Sequence, residues 1–196
     1  MGNAKYDSLA ARAEPALRDE IAGKLNIPSG AQAFVAGSTH EGEERIVLSV
    51  WRRLLVAYPD LLLILVPRHV ERGGEVLRIL REEGFSDCIA MSEIVQGKRR
   101  GDERIVVVDI IGELFRVYSL ATVVYCGGSL VPKGGQNILE PASWGKVVLY
   151  GPSMEDFVDE KESLEAAGAG IQVAGEEELF EGIQPLMKDP RSREAR

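Results

Sequence analysis

Arg68 and His69 follow directly on a run of hydrocarbon side chains, LLLILVP at 61–67, so a guanidinium and an imidazole stand where an apolar segment stops. A guanidinium there can take a phosphate through two parallel N–H bonds, which an ammonium does less well, although arginine at a strand end is also an ordinary surface residue. Three further segments carry comparable chemistry. AGSTHEGEE at 36–44 offers Ser38 or Thr39 as a cap for a following helix, with backbone N–H groups free near its start. VVVDIIGELF at 106–115 leaves an apolar run on Asp109 and opens a helix at Gly112, Glu113 and Leu114, where a glycine lets backbone approach an anion. CGGSLVPKGGQNILEPASWGK at 126–146 is the most unusual stretch: two Gly-Gly pairs flank Ser129, Pro132 and Lys133, and Asn137 then starts a short helix carrying Glu140. A flexible glycine loop ending on a helix N-terminus is a phosphate cradle in outline, but the spacing is neither GxxxxGK[ST] nor GxGxxG, so this is no Walker loop. Glu140, one turn into its helix, has the chemistry to accept two ribose hydroxyls, or simply to satisfy the helix dipole. Asp109 has a plainer reading as a cap or turn residue. His40 and His69 lack any nucleophile spacing to a serine, and no Ser/His/Asp arrangement is visible. Glu41, Glu43 and Glu44 form an acidic first turn expected to be solvated, and KRRGDER at 98–104 reads as a solvated loop.

These loops need rigid elements to hold them. Strand candidates lie at 32–35, 61–66, 87–90, 104–108, 122–126, 147–149 and 170–173. Between them, 43–58 places Ile46, Val47, Val50, Trp51, Leu54 and Leu55 at helical spacing, and further helical patterns cover 74–83, 112–119, 137–144, 156–167 and 176–187. An amphipathic stretch at 8–25, interrupted by Pro15, precedes them. Strands that are apolar throughout and alternate with helices predict an α/β fold, a Rossmann-like parallel sheet with helices on both faces. Ligands of such sheets bind beyond the carboxyl ends of the strands, which is where all four loops fall.

The 196 residues, 45% hydrophobic and 28% charged, suit one folded domain. With 23 basic against 31 acidic side chains the net charge is −8, which argues against a nucleic-acid partner but leaves room for a small anion held by local donors. Cys88 and Cys126 fall in strand candidates without metal or CxxC spacing, so a reduced, cytosolic protein is expected. The longest apolar run, 61–67, is far below the roughly 20 residues of a membrane span, and no basic-then-apolar leader opens the chain. Polar ends, MGNAKYD and KDPRSREAR, point to an excised domain.

GNAKYD, AGSTHEGEE, LLLILVPRH, DIIGEL and above all GGSLVPKGGQNILEPASWGK resemble, in collinear order, the C-terminal half of the 3-deoxy-D-manno-octulosonic acid (Kdo) transferases of Gram-negative bacteria, which are GT-B glycosyltransferases. The resemblance implies a linker and leading helix at 1–25 and a CMP-Kdo-binding domain at 26–196. The full enzyme would move Kdo from CMP-Kdo to a lipid A precursor at the cytoplasmic side of the inner membrane. Nucleotide contacts would fall on Pro67 and Arg68, on Ile111, Gly112 and Glu113, and on Asn137, Ile138, Leu139 and Glu140. Arg68 and two helix N-termini would stabilise the phosphate as the glycosidic bond breaks, and Glu140 would hold the ribose. The family's general base is a glutamate of the N-terminal domain, so no catalytic residue is expected here and the chain alone would bind nucleotide without turnover. Neither metal nor cofactor is implied beyond the CMP-Kdo donor. Gln136 stands where the family usually has His, and Ile110 where it has Thr; Gln donates a hydrogen bond but cannot titrate. Half of another GT-B enzyme using a UDP-sugar, and a non-catalytic nucleotide-binding module, are the competing readings; selectivity for CMP over UDP separates the first of these.

Overall fold

The segments richest in β-branched and leucine side chains form the strands, and nearly all are covered on both faces. The computed structural model describes residues 9 and 11–189. Seven strands pair in parallel: β1 (Ala33–Thr39), β2 (Leu62–Pro67), β3 (Cys88–Ala90), β4 (Ile105–Val107), β5 (Val123–Cys126), β6 (Val148–Tyr150) and β7 (Gly170–Gln172). Their order is β3-β4-β2-β1-β5-β6-β7. The helices are α1 (Pro15–Lys24), α2 (Glu43–Leu54), α3 (Gly73–Glu82), α4 (Met91–Val95), α5 (Leu114–Tyr118), α6 (Leu139–Ser143), α7 (Val158–Ala166) and α8 (Glu176–Lys188).

Side chains alternate along each strand, so each sheet face has its own core. Val35, Ile64, Val106 and Val124 pack with Ile21 of α1 and Leu25 at its end, Val117 of α5 and Leu139 of α6. Phe34, Leu63, Ile105 and Tyr125 pack with Trp51 of α2, Val76 of α3 and Ile183 of α8. The fold is thus the α/β, Rossmann-like parallel sheet expected. From β1 the chain adds β2 beside it, places β3 at the far edge, inserts β4 between β3 and β2, and then crosses back to lay β5 against the other edge of β1. That reversal makes the β1/β5 boundary the switch point where open sheets of this kind leave a crevice.

Several details depart from the sequence reading. β1 runs on to Thr39, because Gly37 and Thr39 stay paired with Val66 and Pro67 around a bulge at Ser38, whose φ is 54°. Pro15 opens α1 at its first turn, where its missing N–H costs nothing, and residues 11–14 before it are turn and irregular chain, so the stretch at 8–25 does break at Pro15 as expected. Helix α4 went unanticipated, being too short to show a period; Glu93 accepts the Ala90 N–H at 3.0 Å and fixes its start. Glu43 and Glu44 are not solvated: both are fully buried. Arg100 is not in a solvated loop either, since its guanidinium is buried and donates to the Leu25 carbonyl at 3.1 Å. Cys88, on the edge strand β3, is half-buried, while Cys126 is buried. The expected linker at 2–7 and most of the polar close at 188–196 lie outside the described residues. Among the described residues no helix is long and apolar enough to cross a membrane.

Candidate functional site

Arg68 extends from the end of β2, and its backbone N–H donates to the Thr39 carbonyl at 2.9 Å, which fixes it beside the bulge of β1. Its side chain is exposed and makes no ion pair among the described residues. Two clefts meet at Arg68, Ser38 and Leu114. The first, about 310 Å³, runs from Pro67 and His69 to Ile111 and Gly112. The second, about 240 Å³, runs over Tyr118 to Gln136, Asn137 and Glu140. Together they occupy the carboxyl ends of β1, β2, β4 and β5, at the switch point. A larger hollow of about 680 Å³ opens at the opposite end of the sheet, around Pro28, Tyr58 and Arg104; none of the strand carboxyl ends reaches it.

Of the nine residues expected to contact nucleotide, six line these clefts. Pro67, Arg68, Ile111 and Gly112 line the first, Ile111 being 85% exposed at its mouth and Gly112 adopting φ 91°. Asn137 and Glu140 line the second. Asn137 sets this corner twice over: its Oδ1 accepts the Leu139 N–H at 3.1 Å, and its Nδ2 donates to Glu140 Oε1 at 3.3 Å. Burial pushes the Glu140 carboxyl above the usual carboxylate range, against the pull of Arg12 and Asn137. Glu113, by contrast, turns its carboxylate onto Lys24 at 2.7 Å and Arg116 at 3.7 Å. The side chains of Ile138 and Leu139 are buried in the core, so only their backbone is left to face a ligand. Asp109 accepts from the backbone N–H of Ser92 at 2.8 Å and from its hydroxyl at 2.6 Å, tying β4 to α4. Helices α5 and α6 have five residues each, so their dipoles are short and the strongest positive charge on the clefts is Arg68 itself.

The glycine-rich loop is not the flexible phosphate cradle its composition outlines. Its anion nest is already filled, by the carboxylate of Glu43. Oε2 accepts the N–H groups of Gly128 at 2.7 Å and His40 at 2.9 Å. Oε1 accepts those of Ser129 at 3.1 Å and Leu130 at 3.0 Å, and the Tyr125 hydroxyl at 2.5 Å. Successive backbone N–H groups curled around one anion are how loops of this kind bind phosphate, and here a side chain takes that place. The Gly135 N–H donates to the Gly128 carbonyl at 2.9 Å and closes the loop on itself. A Cβ on Gly127 would lie 2.6 Å from the Ser38 carbonyl oxygen, which is why residue 127 has no side chain. Sequence reasoning missed this role of Glu43, and also Tyr118 as a cleft wall, whereas Ser38, in a loop singled out for a cap or a ligand, lines both clefts; the glycine pairs were the signal that other groups approach the backbone closely there.

Around Arg68 lies a patch of further cationic and imidazole groups. The rings of His40 and His69 meet edge to face with centroids 5.9 Å apart. Burial holds His40 below its ordinary pKa, and the charges of Lys133 and Arg68 press the same way against the pull of Glu43. His40 Nε2 is shielded from solvent without a hydrogen-bond partner among the described residues.

No family model matches the chain. It is similar to a bifunctional glycosyltransferase/methyltransferase of Fusobacterium nucleatum, 31% identical over 99% of this chain and 29% of that protein. It is also similar to the 3-deoxy-D-manno-octulosonic acid transferase of Aquifex aeolicus, 37% identical over 79% of this chain and 41% of that protein. The chain therefore spans less than half the length of these curated relatives. Among solved structures, the C-terminal CMP-Kdo binding domain of WaaA from Acinetobacter baumannii superposes with a TM-score of 0.79 at 24% identity, covering 94% of this chain and 92% of that one. By sequence the chain belongs with the 3-deoxy-D-manno-octulosonic acid transferases, and by fold with the C-terminal domains of GT-B glycosyltransferases.

Proposed function

We propose that this chain carries the site for the CMP-activated sugar donor of a Kdo transferase, and that the clefts meeting at Arg68 are that site. One observation carries the reading: loops 67–69, 110–114 and 136–140, from three separate strand ends, converge on one crevice at the switch point. In this reading Arg68 neutralises the phosphate and stabilises the negative charge that grows on CMP as the glycosidic bond breaks, which lowers the barrier because the charge is met by a donor already in place. Ionised Glu140, oriented by Asn137, accepts the two ribose hydroxyls. Pro67, Ile111 and Gly112 supply wall and backbone, and the backbone of 138–139 completes the second cleft. Glu113 supports the loop from behind through Lys24 rather than touching the ligand. The acceptor, a lipid A precursor at the membrane surface, and the general base that activates it belong in this reading to the part of the protein beyond these residues, so the chain alone binds without transfer. The relatives' greater length supports that division.

Calorimetric titration of the chain with CMP and UDP tests the proposal. CMP should bind with a Kd of roughly 0.1 to 1 mM, about 4 to 5.5 kcal/mol. Arg68→Ala and Glu140→Ala should each weaken it about tenfold, the size of one charge-assisted contact. Preference for UDP would assign the site to another class of donor, and binding by the variants as tight as the parent chain's would remove these residues from it.

A further inference from the structure

A donor in which a nucleoside monophosphate is joined to a 2-keto sugar acid carries two anions on one carbon: the phosphodiester and the sugar's carboxylate. Arg68 offers one guanidinium fork and satisfies one of them. The question is what meets the other. Glu71 also lines the first cleft and its charge disfavours a second anion there, which leaves the His40 side. There the His69 ring, in the same cleft as Arg68, stands edge-on to His40 at 5.9 Å. His40 in turn flanks Gly128 together with Gln136: a Cβ at Gly128 would lie 3.2 Å from the His40 ring and 3.3 Å from Gln136 Cγ. Lys133 projects from the same closed loop, is exposed, and makes no ion pair among the described residues. The neighbouring carboxylate, Glu43, has both oxygens held by backbone N–H groups of the loop, so it does not swing out to pair with Lys133 or the imidazoles, though its charge is still felt at His40. His40 Nε2 is left shielded and without a partner among the described residues, where a buried polar atom ordinarily has one.

We propose that His40, His69 and Lys133 form an anion subsite beside Arg68 that takes the carboxylate of an acidic donor sugar, while Arg68 holds the phosphate. The inference rests on the donor-site reading above and adds its sugar specificity. Lys133 supplies charge, and the imidazoles supply N–H donors on a rigid frame set by the Glu43 clamp. A neutral sugar would leave these donors unpaired, so the subsite discriminates against it as well as for the acid.

The test compares a non-hydrolysable CMP-Kdo analogue with its C1 methyl ester, alongside CMP alone, by calorimetry on the whole chain. The acid should bind about tenfold more tightly than the ester, as expected for one charge-assisted interaction. Lys133→Gln should reduce that ratio to about twofold, the His69→Gln/Lys133→Gln pair should abolish it, and Lys133→Arg should keep it. Because the ratio is taken within each variant, a general loss of nucleotide affinity does not mimic the effect, and an unchanged melting temperature shows that the variant folds. If CMP binds but acid and ester bind alike, the subsite is overturned while the donor-site reading stands. If CMP itself fails to bind, the donor-site reading falls and takes the subsite with it.

Discussion

Replacing Glu43 with Gln changes one oxygen into an NH2 group and leaves the volume of the side chain nearly unchanged. Either orientation of the amide fails. With the oxygen at the Oε1 position, the NH2 faces the N–H groups of Gly128 and His40; turned over, it faces those of Ser129 and Leu130. Two buried backbone donors lose their acceptor in both cases, and each such loss costs about 1–3 kcal/mol, so Glu43→Gln should destabilise the chain by about 2–6 kcal/mol. That is a large part of the roughly 5–15 kcal/mol available to an ordinary domain. Urea unfolding followed by circular dichroism and by the fluorescence of buried Trp51 gives the global figure. Native-state hydrogen exchange at residues 128–130 gives the local one, because the loop should open well before the rest of the sheet. A cost below about 1 kcal/mol, with those amides as protected as in the parent chain, would refute the clamp as the source of the loop's rigidity.

Other expected outcomes follow from the same geometry. Arg72 donates to fully buried Glu44 at 2.7 Å, so Arg72→Met should cost about 3–5 kcal/mol by stranding that carboxylate; chemical denaturation of Arg72→Met and of the Arg72→Met/Glu44→Leu pair checks this, and a double variant no more stable than the single one contradicts it. Glu140 titrates higher in the folded chain than in the unfolded one, so the folded form holds its proton more tightly and stability falls as pH rises from the unfolded value through the raised one. Glu140→Gln should therefore melt like the parent chain in acid and above it at neutral pH, and a melting difference that stays flat from about pH 4 to pH 7 would show that Glu140 is not held in its protonated form.

The strands were legible because hydrocarbon runs such as 61–66 have few other places to go, and the loops after them drew notice because charge follows apolar sequence abruptly at Arg68 and Asp109. Glu43 and Glu44 read as solvated because acids in a first helical turn usually are. Their burial is decided elsewhere, by Tyr125 and the 128–130 loop for Glu43 and by Arg72 for Glu44, and no local pattern around residue 43 encodes those partners. Glu113 misled in the opposite direction: its place beside Gly112 suits a ligand, but Lys24, 89 positions earlier, claims its carboxylate. The buried side chains of Ile138 and Leu139 show the same limit, since sequence marks a loop as near a ligand without saying which atoms face it.

The bonds from Glu43 to the loop span 85 to 87 positions of chain, which ties site formation to folding order. A chain emerging from the ribosome completes β1 and α2 long before residue 130 exists, and until then the acids at the head of α2 have none of the loop donors that later enclose Glu43. Contacts of such separation form late because their loop entropy must be met first. The crevice therefore takes shape only when β5 docks against β1 and the loop after it wraps Glu43, so ligand binding by this chain reports that long-range pairing and not the earlier β1–β4 half of the sheet.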